Sequence, residues 1–491
     1  MKIINPILIC TNKCVGIVLV MLFSFVISNS IHAAMATVNN IGDAPATNPA
    51  VSPDSTLGVG IITLRSSIQY LNAQAQPSNT IDFNISGTGP FTIQPQTDLD
   101  SIQVPVLING YSQVGSSVNT LANGDNAVLK IILNGSNYTV GDGLSTGNGL
   151  HFIAGSDGSI VKGLVINQWI DNGILIDGTT ASINGIEILG NFIGTDVNGT
   201  VQMANRTGIG ISGATNAITN TIIGSPVPAD RNLISGSFAF FLQDDYSVQG
   251  AALCSVFNSG TLIQGNYIGV DHNGTQELGN SVMGVVFITE NESTIGGATP
   301  ADGNLISGQT IYGIDLTGQL PFTFIQGPGC TNCIVQGNKI GTDLTGNFSL
   351  GNANAGIEID SFSTNNTIMN NQVSGNGFGI NIGKLDMPGS SLNIVQQNLV
   401  GTDNTGTLPL GNTRYGIVVN DTQNNVQNNV ISGNGKSGLL IYGAVGTNTL
   451  VISNRIGTDK SATKKLGNGE NGVQIGLPGG LGGGSNNTIG S

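Results

Sequence analysis

The sequence predicts an all-β chain wound as a right-handed parallel β-helix, a single solenoid of three-strand coils behind a short N-terminal capping helix. Three observations carry that expectation: two alternating Asn-anchored motifs, Gly-led runs of alternating apolar residues between them, and a composition rich in Gly and poor in charge. Five segments share one pattern: NFIGTDVNGT from Asn191, NYIGVDHNGT from Asn266, NKIGTDLTGN from Asn338, NLVGTDNTGT from Asn398 and NRIGTDKSAT from Asn454. Four others read NLISG from Asn232, NLISG from Asn304, NQVSG from Asn371 and NVISG from Asn429, and the two kinds alternate strictly. Successive anchors lie 41, 34, 38, 34, 33, 27, 31 and 25 residues apart, and the shortest interval approaches one coil without insertions. Each Asn therefore marks one coil.

Between anchors stand GIGI from Gly208, GIDL from Gly313, GIEI from Gly356, GINI from Gly379, GIVV from Gly416 and GVQI from Gly472. Residues two apart share a face of a strand, so Ile357 and Ile359 point inward and Glu358 outward. One flat coil cannot bury such a face; stacked coils can. Asn suits the corner because it tolerates left-handed backbone and because stacked amides bond to one another along a rod. With 73 Gly and 9% charged residues the chain favours short strands and tight turns over long helices. An antiparallel sandwich shares those features, but not a long repeat with one fixed corner residue.

Residues 1–33 have a signal-peptide layout: Lys2 and Lys13, an apolar run from Val15 to Ile27, then Ala33, Ala34 and Ala36, with cleavage after Ala33 or Ala36. The run is short for a bilayer span; an uncleaved anchor is the alternative. No later segment reads as a membrane helix, so the expected location is extracellular or at the cell surface. Residues 34–62 read as a linker. Residues 63–145 read as the cap and first irregular coils: Leu64, Ile68 and Leu71 share a helical face in TLRSSIQYLNA, which covers the open edge of the first coil. Residues 146–491 carry the repeats. The final SNNTIGS stops inside a TIGG-like element, so the C-terminal edge is expected to meet another subunit or further sequence.

TLRSSIQYLNA, NTIDFNISGTGPFTIQP, VPVLINGYSQVGSSVNT, GLVINQW and the repeated GTD, GNxxxGIxI, TIGG and NxISG elements together resemble exported bacterial right-handed β-helix proteins that open with a SLREA-like cap. The cap's usual Glu is Ser66 or Ser67 here, which implies a weaker helix. The resemblance spans Thr63 to Ser491 and implies secretion or surface display without a shared activity.

A formal charge of −14 disfavours nucleic acid and anionic lipid as partners. Cations, neutral glycans and basic proteins fit better. Beyond the signal segment stand Cys254, Cys330 and Cys333; the CxxC has no second pair and no nearby His to complete a metal tetrad, so structural thiols or one disulfide are expected, and no cofactor other than calcium.

Two constellations carry possible chemistry. Gly313 and Gly356 open the same strand on consecutive coils, which stacks Asp315 and Glu358 outward about 5 Å apart, with Asp360 beside them, Asn381 next in the column and Lys384 as the one close base. Two carboxylates this close cannot both ionise easily, which suits a glycan-cleaving acid. The insertion from Asp343 to Asn352 is expected to wall this site. The alternative is a solvated acidic face. The second constellation is the GTD corner, where Asp196, Asp271, Asp343, Asp403 and Asp459 are expected in a row with steps of about 10 Å, twice the strand spacing. Their loops resemble the start of calcium loops but lack a second strong carboxylate, so an Asx turn is the simpler reading. With only His151 and His272 beyond the signal and no hydrolase motif, the first functional expectation is an adhesin-like interaction protein that binds a polysaccharide or surface protein. A polysaccharide hydrolase or lyase is the alternative, and a purely structural element of a longer surface protein the third.

Overall fold

The computed structural model describes residues 33–139, 147–213, 218–238, 250–319, 327–384, 389–477, 482 and 484–490; the expected signal segment lies outside these except for Ala33. Three parallel sheets of 14, 12 and 11 strands run the length of a parallel β-helix. The chain visits them in turn. Ile334–Gln336 lies in the first sheet, Lys339–Ile340 in the second, Ala355–Ile359 in the third, and Thr367–Met369 is back in the first.

In-register pairing turns the alternating apolar residues into columns. Val335, Ile368, Val395, Val426 and Val451 align on the first sheet, and Ile340, Val373, Val400 and Ile431 on the second. Ile357 and Ile359 stack between Ile314 and Leu316 on one side and Ile380 and Ile382 on the other. All belong to one continuous core. Each buried aliphatic side chain stabilises the rod by about 1.5–3 kcal/mol.

The helix Leu64–Gln74 covers the first coil with Leu64, Ile68 and Leu71 buried. Ser66 does the work expected of Glu: the Thr63 side chain accepts from the Ser66 N–H at 3.1 Å, and the Ser66 Oγ accepts from the Thr63 N–H at 3.0 Å. The expectation that residues 34–62 form a linker is corrected. Ala34–Val38 is the first strand of the first sheet, paired with Asn79–Phe83, and Asp43 holds the buried Arg65 of the helix at 2.8 Å.

The nine anchoring Asn residues form an unbroken ladder. Each Nδ2 donates to the next Oδ1, from Asn191 through Asn232, Asn266, Asn304, Asn338, Asn371, Asn398 and Asn429 to Asn454, at 2.9–3.2 Å. The left-handed backbone, however, belongs to the preceding residue on most coils: Gly337, Asn370, Gln397, Asn428 and Ser453 have φ of 72°, 55°, 59°, 57° and 56°. The ladder Asn itself is chosen for its amide. A second ladder, Asn352–Asn376–Asn412–Asn434–Asn468, marks the corner before the third sheet. Asn398→Ala is expected to strand buried partners on Asn371, Asn429 and the Ile368 carbonyl, each costing about 1–3 kcal/mol. Urea unfolding should register a loss of about 3 kcal/mol or more; a loss below about 1 kcal/mol would remove the ladder as a stabilising element.

Candidate active site

The outer face of the third sheet brings the predicted acids together. Asp315 pairs in register with Glu358, and Glu358 with Asn381. Asp315 and Glu358 are 3% and 2% exposed and Asp360 is fully buried. Lys384 closes the cluster through an ion pair with Asp360, and its Nζ lies 5.6 Å above the ring centroid of Tyr312. Asn381 Nδ2 donates to Glu358 Oε1 at 2.8 Å.

One lysine cannot balance three buried carboxylates. Burial first, then the neighbouring Asp360, hold the Asp315 carboxyl well above the usual carboxylate range, with Lys384 pulling the other way. Burial, Asp360 and Asp315 do the same to Glu358. Burial and the Glu358 carboxyl raise both the Tyr312 and Tyr442 hydroxyls. Lys384 is itself held ionised beyond its usual range, because the three acids and Tyr312 outweigh its burial. The cluster thus combines two buried carboxyls shifted toward their protonated forms with the Lys384–Asp360 ion pair. Tyr312 and Tyr442 were not singled out from the sequence; Tyr312 stands immediately before GIDL, at the mouth of the same strand.

The GTD loops go elsewhere. Each is a small hairpin closed by an antiparallel bridge, such as Thr342 with Ser349 and Thr402 with Pro409. The hairpins fold over the outer face of the second sheet, where Leu344 and Leu350 pack with Tyr267 and Leu305. The insertion from Asp343 to Asn352 therefore does not wall the acids. Nor are the loops separate steps of a row: His272, Leu344, Asn404 and Lys460 donate backbone N–H bonds to Gly199, Gly274, Gly346 and Gly406 of the preceding loops at 2.8–3.1 Å.

The Asp of each loop is spent within it. Asp403 Oδ1 accepts the N–H groups of Thr407 and Leu408 at 2.8 and 3.0 Å, and Asp196, Asp271, Asp343 and Asp459 repeat the pattern. These bonds hold the Asp196 and Asp403 carboxyls below their usual range against partial burial, and bonds from Ser461, Lys464 and Thr463 bring Asp459 to about 2. Asx-turn closure accounts for the motif without calcium. Among the described residues no group of three or more His, Cys, Asp or Glu side chains is placed to hold a metal ion. One open cleft of about 420 Å³ borders the first two loops, lined by Asp125, Lys130, Asn198 and His272 among others.

Cys254, Cys330 and Cys333 are buried, and no disulfide joins them. Cys333 Sγ lies 3.7 Å from the Glu290 carbonyl. Glu290 itself is buried between the hydroxyls of Ser255 and Ser293, and burial lifts its carboxyl to about 7. His151 is shared between Ser101 Oγ at 3.0 Å and Asp177 at 3.3 Å, a contact that draws Asp177 down to about 2. Both groupings were illegible before the coils were stacked.

No protein-family model matches the sequence, and no curated protein does. Among solved structures, the chain is similar to the A-module of the Azotobacter vinelandii mannuronan C-5 epimerase AlgE6, at 10% identity and a TM-score of 0.50, covering 85% of this chain and 95% of that one. It is also similar to the catalytic unit of a GH87 α-1,3-glucanase from Streptomyces thermodiastaticus, at 15% identity and a TM-score of 0.45, covering 86% and 66%. At such identities the likeness is one of fold. The chain is a parallel β-helix. No helix among the described residues is long and apolar enough to cross a membrane.

The acid cluster fixes the sign of a pH effect. Carboxyls with raised native pKa favour folding while protonated, and that contribution is lost as pH climbs from the unfolded value, about 4.3 for Glu, through the native one. Glu358→Gln, which keeps the acceptor for Asn381, should match the parent's stability near pH 4 and exceed it near pH 8 in urea titrations. An equal difference at both pH values would rule out a protonated Glu358.

Proposed function

We propose that the chain is an exported polysaccharide-degrading enzyme whose active centre is the Asp315–Glu358–Asp360–Lys384 cluster. The observation that carries this reading is the placement of two buried carboxyls, Glu358 within the strand Ala355–Ile359 and Asp360 just past its end, with Asp360 ion-paired to Lys384 and burial favouring the proton-bearing form of Glu358. Residues two apart on a strand are separated by about 6.6 Å of backbone, which leaves room for a water between acid and base. Glu358 gives its proton to the glycosidic oxygen as that bond breaks. Asp360 takes a proton from the water that attacks the anomeric carbon. Asp315 shares the electrostatic load that keeps Glu358 protonated, and Lys384, the most exposed member of the cluster, moves aside to admit the sugar. The carbohydrate-active names of proteins with this fold, an epimerase and a glucanase, agree with a glycan substrate.

The sequence alone ranked an adhesin-like surface first. The GTD loops on which a periodic binding surface rested are occupied with one another, which moves the weight to the third sheet. Export fits the same reading: cleavage after Ala33 leaves the strand Ala34–Val38 whole, whereas cleavage after Ala36 removes most of it. Intact-mass measurement of the secreted protein should place its N-terminus at Ala34, and a start at Thr37 would contradict this.

Purified residues 34–491 should release reducing ends from at least one member of a panel of neutral and acidic polysaccharides. The Asp315→Asn, Glu358→Gln double variant should lose this release by a factor of about 100 or more, the usual scale of a general acid. No release by the parent, or unchanged release by the variant, would overturn the assignment.

A further inference from the structure

Beside the acid cluster, on the same sheet edge, stands a ladder of cations resting on aromatic rings. Arg414 lies 5.0 Å over the centroid of Phe378 and Lys436 lies 5.3 Å over Tyr415, while the Phe378 and Tyr415 rings stack at 6.2 Å with 14° between their planes. The backbone explains the order: Arg414 N–H donates to the Gly377 carbonyl and Lys436 N–H to the Arg414 carbonyl, both at 2.8 Å, so these positions recur on consecutive coils. Lys384 over Tyr312 makes the same pairing at the acid cluster. Arg414 and Lys436 are exposed, Phe378 and Tyr415 half-buried.

A chain of net charge −14 has 15 Lys and Arg in all, and places three of them on this strip. Neither Arg414 nor Lys436 has a carboxylate partner among the ion pairs of the described residues. Glu470 follows Lys436 on the next coil and ends the basic run. Rings that hold a cation in place reduce the entropy lost when an anion docks, and the ring edges left free offer apolar surface to sugar faces.

We infer that this strip is the substrate subsite for an anionic polysaccharide, one whose sugars carry carboxylates. Its chain lies along the helix axis, with acidic groups on Arg414 and Lys436 and the scissile bond at Glu358. The inference rests on the reading of the acid cluster as the active centre and adds the substrate class. The buried Asp360 supports it: an arriving carboxylate gives Lys384 a replacement partner, whereas a neutral sugar leaves the ammonium uncompensated. A row of cations repeating at about the strand spacing of 4.8 Å meets a periodic anion with several weak contacts that sum.

The test is calorimetric binding to polygalacturonate, with fully methyl-esterified polygalacturonate as the uncharged counterpart and dextran sulfate as a sulfated one, on the cleavage-blocked Glu358→Gln protein. Binding to polygalacturonate is expected, weakened by salt, with little or none to the ester. Adding Arg414→Gln and Lys436→Gln should weaken it by about tenfold, the worth of two exposed charge pairs, with unchanged circular dichroism; Arg414→Lys should recover part of the loss. Equal binding to acid and ester, binding to dextran sulfate alone, or indifference to the double substitution would overturn the inference. Release from neutral glycans by the parent, with no binding to polygalacturonate, would leave the cleavage reading standing and this one refuted. Binding to polygalacturonate without release from any polysaccharide would overturn both, leaving the strip an anion-binding surface with no active centre beside it.

Discussion

The structure depends on coils stacking in register. An isolated coil has no core and leaves every strand edge open; the parallel pairing that joins coil to coil closes the edges and creates the apolar columns in one step. The Asn ladder is what makes the register unique. Apolar columns tolerate exchanges among Ile, Val and Leu, but a buried amide that donates to one coil and accepts from the other leaves several unsatisfied groups if it slips by a residue. Polar specificity at the corners and apolar burial between them divide the work of holding the rod.

The same constraint produces the chemistry. Stacking that aligns Ile314, Ile357 and Ile380 inside also aligns Asp315, Glu358 and Asn381 outside. Two carboxyls on adjacent strands are brought close whatever their mutual repulsion, because core burial and backbone pairing outweigh it. Like charges that cannot separate shift toward their protonated forms, and Lys384 pairs with only one of the three. The raised pKa values follow from the architecture.

Much of this was legible in the sequence because a strand beginning Gly-Ile fixes register and facing together. From Gly313 and Gly356 the stacking of Asp315 on Glu358 followed, and from the Asn spacing nine of the coils, those from Asn191 onward; the second sheet has 12 strands. What did not follow were features set by the path of the chain between strands. The Asp343–Asn352 insertion turns onto the second sheet because Leu344 and Leu350 find apolar company there, a choice set by Tyr267 and Leu305 on preceding coils. Arg414 and Lys436 each stand two residues after a ladder Asn, Asn412 and Asn434, but the rings beneath them, Phe378 and Tyr415, are paired by side-chain orientation that spacing does not report. The left-handed residue before the corner Asn on most coils is Gly, Asn, Gln or Ser, which leaves no residue type to read.

The most conspicuous motif and the candidate site therefore lie on different faces, and the reason is physical. A motif repeated five times answers a requirement that every other coil shares, here closing a hairpin with an Asp and hydrogen-bonding it to its neighbours. A reactive centre is needed once. Along its column the outward residues run Val286, Asp315, Glu358, Asn381, Val418 and Leu440, so acids interrupt a series that packs well with apolar side chains. Burying carboxyls at those two places costs stability that Val or Leu would not, and nothing in the stacking requires them. In a solenoid the repeat reports what holds the rod together. The departures from it, where side chains are less stable than their column neighbours, mark the places to look for function.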